Sequence, residues 1–124
     1  MQAVVPTLRI TNYQRGKAFY VDGLGFTVEW EHRFEPGFPV FMSIVRDGMT
    51  LFLTEHTGDC QPGGLVHFYV ADVDAWYAEF RQKSVPVQEP PNDDLPGIRM
   101  MTVVDPDGNQ LRFGTRRPDS SRTK

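Results

Sequence analysis

The side chains in this chain that could carry acid–base or metal chemistry are few and scattered: His32, Glu55, His56, Asp59, His67 and the single cysteine, Cys60. A divalent metal needs several imidazole, carboxylate or thiolate donors converging on one point. Glu55 and His56 are neighbours, so in a continuing strand their side chains leave on opposite faces and do not converge. Cys60 lies in a polar loop, Gly58-Asp59-Cys60-Gln61-Pro62-Gly63-Gly64, where an incidental surface thiol is a simpler reading than a nucleophile. No Ser-His-acid set is readable, and Gly23-Leu24-Gly25 reads as a helix stop, not a phosphate cradle. What recurs instead is a set of aromatic, hydroxyl and cationic groups at alternate positions of β-rich segments. These are Thr7 and Arg9; Thr50, Phe52 and Thr54; Leu65, His67 and Tyr69; and Gln110 and Arg112. Such a mixture makes a poor core and a good pocket lining.

The segment that positions one of these sets is Asp105-Pro106-Asp107-Gly108-Asn109 with Gln110-Leu111-Arg112-Phe113 after it. Proline presets φ, glycine accepts positive φ, and Asp and Asn side chains bond their own backbone, so this is a turn between two strands. A shorter version occurs at Asp47-Gly48, before Met49-Thr50-Leu51-Phe52-Leu53, at an offset of 107 − 47 = 60 residues. The offset also brings Val5 onto Leu65, Tyr20 onto Phe80, Leu51 onto Leu111 and Leu53 onto Phe113. A period that long is no solenoid repeat. It is the size of one small module followed by its copy.

Each copy reads β-α-β-β-β. In the first, a strand over 3–10 carries Pro6, which removes a ladder donor and marks an edge or a bend. A helix over 13–22 follows, capped by Thr11 or Asn12. Strands are expected over 26–34, 40–45 and 49–55. In the second, a strand over 65–70 leads to a helix capped by Asp72, with Val73, Trp76, Tyr77 and Phe80 at i, i+3, i+4 and i+7. A short strand over 85–87, a proline-rich loop over 89–97, and strands over 99–104 and 110–114 complete it. The fold class is α+β: two tandem βαβββ modules, about 3–57 and 64–115, in a single domain over 1–115. Val66, Phe68 and Val70, Leu51 with Leu53, and Leu111 with Phe113 form the faces expected to pack under the helices. The polar tail, 116–124, is expected to be disordered.

With 124 residues the chain is long enough for one domain with a core, and a hydrophobic content of 40% with 23% charged residues is ordinary for a globular protein. A net charge of −3 without a basic cluster inside the fold argues against a nucleic-acid partner. No apolar run is long enough for a membrane span, and the first residues do not read as a signal peptide. One cysteine allows no internal disulfide and suits a reducing, cytoplasmic setting.

Taken together, Val5-Pro6-Thr7-Leu8, Ala18-Phe19-Tyr20 before Leu24-Gly25-Phe26, Met49 to Leu53 and Val104-Asp105-Pro106-Asp107-Gly108-Asn109 resemble the glyoxalase/bleomycin-resistance/extradiol-dioxygenase superfamily, the vicinal oxygen chelate proteins. The resemblance implies paired modules whose partly open mixed sheets enclose a cleft. In metal-dependent members four ligands enter that cleft, and motif register puts them at Val5, Phe52, Leu65 and Arg112. Three of these have no donor atom and the fourth is a cation, so the usual metal site is absent and no cofactor is expected.

The chain is therefore most similar to the metal-free bleomycin-resistance branch, whose members bind a drug without chemistry. That resemblance implies a homodimer, with Pro6 at the position associated with exchange of the N-terminal strand. The expected ligand-binding residues are Thr7, Arg9, Phe52, Thr54, His67, Tyr69, Gln110 and Arg112, with Trp30 a further stacking candidate. The favoured reading is a metal-independent small-molecule binder, possible antibiotic sequestration included. Two others stay open: a superfamily enzyme of lyase, isomerase or dioxygenase type using His67 or a displaced metal, and an interaction module with a vestigial cleft.

Overall fold

In the computed structural model, which describes residues 2–117, one order of elements is laid down twice. The first series is β1 (Thr7–Arg9), α1 (Tyr13–Lys17), β2 (Thr27–His32), β3 (Phe41–Arg46) and β4 (Met49–Thr54). The second is β5 (Leu65–Tyr69), α2 (Val73–Gln82), β6 (Glu89–Asn92), β7 (Ile98–Val104) and β8 (Gln110–Arg116). The sheets are ordered β1-β4-β3-β2 and β5-β8-β7-β6, each with a parallel first pair and antiparallel neighbours thereafter. This is the expected α+β class in tandem βαβββ modules. The expected offset even sets the pairing: Thr7 faces Phe52 in the first sheet and His67 faces Arg112 in the second.

By packing, the chain forms two compact units, one of residues 1–64 with 105–109, the other of 65–104 with 110 onward. In the first unit Leu8, Ile10, Met42, Ile44, Leu51 and Leu53 are buried with Tyr20 and Leu24. Gly16 lets α1 approach β1 closely, since a Cβ there would stand 3.0 Å from Ile10 Cδ1. In the second unit Phe113 is the centre. It stacks on Phe68 (4.8 Å) and Trp76 (5.3 Å) and meets Phe80 edge-on (5.5 Å). The i, i+3, i+7 stripe of α2 thus buries against β8 as its periodicity requires. Asp72 caps that helix by accepting from the Asp74 and Ala75 N–H groups, and Asn12 caps α1 through the Arg15 N–H.

Several elements differ from expectation. The first helix is α-helical only to Lys17 and widens into a π turn over Ala18–Gly23, closed by the Leu24 N–H on the Phe19 carbonyl. No strand forms over 85–87. The strand is β6, in the proline-rich segment read as loop. Pro90 and Pro91 fall at its register shift, between Glu89 and Asn92, on the sheet's edge, where no ladder donor is missed. β1 is shorter than residues 3–10, and lies at an edge as Pro6 requires. β8 runs on to Arg116, into the segment expected to be disordered, whose remainder at 118–124 lies outside the described residues.

The five residues 105–109 fill the first unit with polar groups. Asp105 is 4% and Asn109 0% exposed. The Asp105 carboxylate accepts from the Tyr20 hydroxyl (2.6 Å), the Asn109 side-chain amide and the N–H groups of Asp107 and Asn109. The Asn109 amide also donates to the Arg9 carbonyl, and its oxygen accepts from the Gly63 and Gly64 N–H groups. Asp107 accepts from the Thr11 hydroxyl and pairs with Arg15 (3.0 Å).

Asn109→Ala strands two backbone N–H groups and one carbonyl, so urea denaturation should show a loss of about 2–4 kcal/mol. Burial and the adjacent Asp105 charge push the Tyr20 phenol well above its ordinary value of 10.0. The neutral phenol is then favoured in the folded state, and its contribution is complete below the unfolded value. As pH rises above 10 only the unfolded chain ionises, so this contribution falls by about 1.4 kcal/mol per pH unit until the folded value is reached. Stability measured against pH should therefore decline less steeply above pH 10 in Tyr20→Phe than in the native chain.

Candidate ligand-binding cleft

The first sheet has one face packed against its helix and one free of it. Strand pairing builds two rows on the free face: Thr7, Phe52, Ser43 and Trp30; then Arg9, Thr54, Phe41 and His32. A bulge between Val28 and Trp30 puts two consecutive β2 residues on this side. Glu29 accepts from the Ser43 hydroxyl (2.7 Å), while Trp30 stacks on Phe41 (5.9 Å, 13°). Phe52 packs against both rings, at 5.5 Å from Trp30 and 5.3 Å from Phe41.

Beside this cluster is a cleft of about 430 Å³ lined by Trp30, His32, Phe34, Phe41, His56 and Asp59. Phe34 lies against His32 (5.1 Å) and His56 (6.2 Å), both edge-on. Trp30 and Phe34 are 45% and 74% exposed, unusual for rings of this size with a core to join. The turn beyond β2 is a Glu35-Pro36-Gly37-Phe38 turn, closed by the Phe38 N–H on the Glu35 carbonyl with Gly37 at φ 86°.

The expected site residues fall into two groups. Thr7, Arg9, Phe52 and Thr54 share the free face of the first sheet, but only Phe52 reaches the aromatic cluster. Thr54 is buried, donating to Asp59 (2.7 Å) and accepting from the His56 N–H (3.0 Å), so it shapes the loop that carries two lining residues. Arg9 is turned to backbone, donating to the Ile10 and Cys60 carbonyls. His67, Tyr69, Gln110 and Arg112 share the free face of the second sheet, where His67 and Arg112 are direct partners and Leu65 and Gln110 are another pair.

Sequence reasoning placed Trp30 among the stacking candidates and weighed His32, His56 and Asp59 only as metal ligands. It did not include Phe34 and Phe41. The alternation Phe41, Ser43, Val45 is the signal that would have found Phe41. Glu55 is spent elsewhere: its carboxylate accepts from the Tyr13 and Val40 N–H groups. Glu31 pairs with Lys17, Arg33 and the Tyr13 hydroxyl, leaving Glu29 as the carboxylate of β2 on the cleft side.

Comparison with known proteins agrees with the fold. The profile of the family described as glyoxalase superfamily protein matches residues 1–120, and the chain belongs to that family. Among solved structures it is similar to a member of the glyoxalase/bleomycin resistance protein/dioxygenase superfamily from Sphaerobacter thermophilus (TM-score 0.71, 25% identity, 94% of this chain and 99% of that one). It is also similar to TioX from Micromonospora sp. (0.76, 21%, 94% and 100%) and to TnmS3, an antibiotic binding protein from Streptomyces sp. (0.74, 22%, 94% and 100%). A search of curated proteins finds no match.

The metal that some members of this superfamily hold does not fit the residues present. Val5 and Leu65 are hydrocarbon, Phe52 is packed among aromatic rings, and Arg112 donates to Gln110. Among the described residues no group of three or more His, Cys, Asp or Glu side chains is placed to hold an ion. Elemental analysis of protein purified without chelator should find far less than one transition-metal ion per chain. Stoichiometric metal that stays through gel filtration would refute this.

Proposed function

We propose that this protein is a metal-independent binder of small aromatic molecules, with the first unit's cleft as the site. The observation that carries the proposal is the half-exposed Trp30 stacked on Phe41, both lining a cavity large enough for a drug-sized group and both backed by Phe52. Exposed aromatic faces gain most from a flat partner, through removal of apolar area from water and offset stacking. Asp59, His32 and His56 supply polar atoms to orient such a ligand. The likeness to TnmS3, described as an antibiotic binding protein, makes an antibiotic the first ligand class to test, with sequestration as the consequence of binding.

The proposed working form is a homodimer. Val4 is 78% exposed just ahead of the edge strand β1, an arrangement that a second copy of the N-terminal segment could cover.

Titration calorimetry with bleomycin and a panel of fused-ring aromatics should identify at least one binder, enthalpy-driven and indifferent to chelator. Trp30→Ala should weaken it about 3- to 30-fold, the range for one lost stacking partner. Phe52→Ala, which removes the ring behind Trp30, should weaken it by a smaller factor with the fold intact by circular dichroism. Unchanged affinity in both variants would remove the cleft from consideration.

A further inference from the structure

The free face of the second sheet has a charge imbalance that no ion pair among the described residues corrects. Its middle row runs His67, Arg112, Thr102 and Glu89 across β5, β8, β7 and β6. The guanidinium of Arg112 makes one side-chain bond, to Gln110 Oε1 at 3.2 Å, and no ion pair among the described residues. His67 beside it is exposed. Arg116, further along β8, lies over the Tyr69 ring at 4.5 Å.

Four of the described carboxylates of this unit are engaged elsewhere. Asp74 and Asp93 hold Arg99 (2.9 and 2.8 Å), Glu79 holds Lys83, and Asp72 caps α2. Glu89 is in the same row as Arg112 but two strands away, roughly 10 Å at ordinary strand spacing. Asp94 is in the loop beyond β6.

Next to Arg112 and His67 the face is largely apolar. The row beyond the His67 row is Tyr69, Gly114, Met100 and Asn92. Gly114 supplies no side chain, and Ile98 occupies the space: a Cβ at 114 would stand 2.5 Å from Ile98 Cδ1. Tyr69 is 58% exposed. A planar guanidinium, an imidazole and a low apolar floor thus lie side by side, the complement of a molecule with an anionic end and a flat hydrocarbon body.

We propose that this face binds an arene carboxylate, its carboxylate held by Arg112 and His67 and its ring lying on Ile98 and Met100 against Tyr69. The proposal concerns the second unit alone and does not rest on the aromatic cleft of the first.

The test titrates the full chain with 2-naphthoate, its neutral analogue 2-naphthylmethanol and inorganic phosphate. It is followed by calorimetry and by amide chemical shifts. Naphthoate should bind, more tightly than either of the other two, and shift amides in residues 65–69, 98–102 and 110–116. Arg112→Gln should weaken naphthoate at least tenfold and leave the alcohol unchanged, and His67→Gln should weaken naphthoate about threefold, since charge-assisted bonds are the strong ones. If Arg112→Gln fails to fold, Arg112→Lys keeps the charge without the fork and should still bind more weakly than the native chain. Equal affinity of the folded Arg112 variant and native protein, phosphate binding as tight as naphthoate, shifts confined to the first unit, or no naphthoate binding would each overturn the proposal.

Discussion

The first unit depends on a buried polar interlock between Asp105 and Asn109, each of whose side chains makes four hydrogen bonds. A carboxylate out of water is costly unless its lone pairs are filled, and an amide with half its bonds made is worse than a hydrocarbon. Here both are complete: among the described residues, no buried side-chain nitrogen or oxygen lacks a partner. The bonds that leave the turn end on three different parts of the unit. Tyr20 belongs to the helical segment, Arg9 to β1, and Gly63 and Gly64 to the loop after β4. The interlock therefore holds the strand that begins the free face and the loop that follows its last strand, while Asp107 adds Thr11 and Arg15 at the start of α1.

The two modules show how a duplicated plan takes different duties. Their β1–β4 and β5–β8 registers coincide under one offset, yet their hairpins do not. Arg46 pairs with Met49, leaving a two-residue turn in which Asp47 (φ 51°) and Gly48 (φ 76°) both have positive φ. Val104 pairs with Gln110, leaving five residues between. The short turn is exposed, whereas the long one is the interlock. The free faces also diverge: Phe52 in the first copy is Arg112 in the second, and Thr7 is His67. One face became aromatic, the other cationic.

Much of this was legible in the residues. The repeat, the Asp72 cap, the α2 stripe and the faces of β4, β5 and β8 follow from local periodicity and turn chemistry, which need no knowledge of partners; for α1 the same chemistry leaves Thr11 and Asn12 both open, and Asn12 is the cap. Asp105 to Asn109 was readable as a turn, but its side chains bond residues as distant as Arg9 and Tyr20, and no local pattern reports such pairings. The cleft was less legible for a physical reason. Alternation assigns faces only while the count of two holds, and the bulge at Glu29 breaks that count just before Trp30. β6 was hidden because proline signals loop everywhere except at a shifted edge, where β6 lies. In the second unit the face of His67, Tyr69, Gln110 and Arg112 was read correctly from period two, since β5 and β8 run without a bulge.

The chain order of the first unit has a consequence for its synthesis. Translation delivers residues 1–64 first, but the group that satisfies the Gly63 and Gly64 N–H groups, the Arg9 carbonyl and the Tyr20 hydroxyl is encoded some forty residues downstream. A nascent chain thus displays the first sheet with its polar interior open until Asn109 leaves the ribosome, by which time β5, α2, β6 and β7 have already emerged. The half that is made first is thus completed only when the second half lacks nothing but β8.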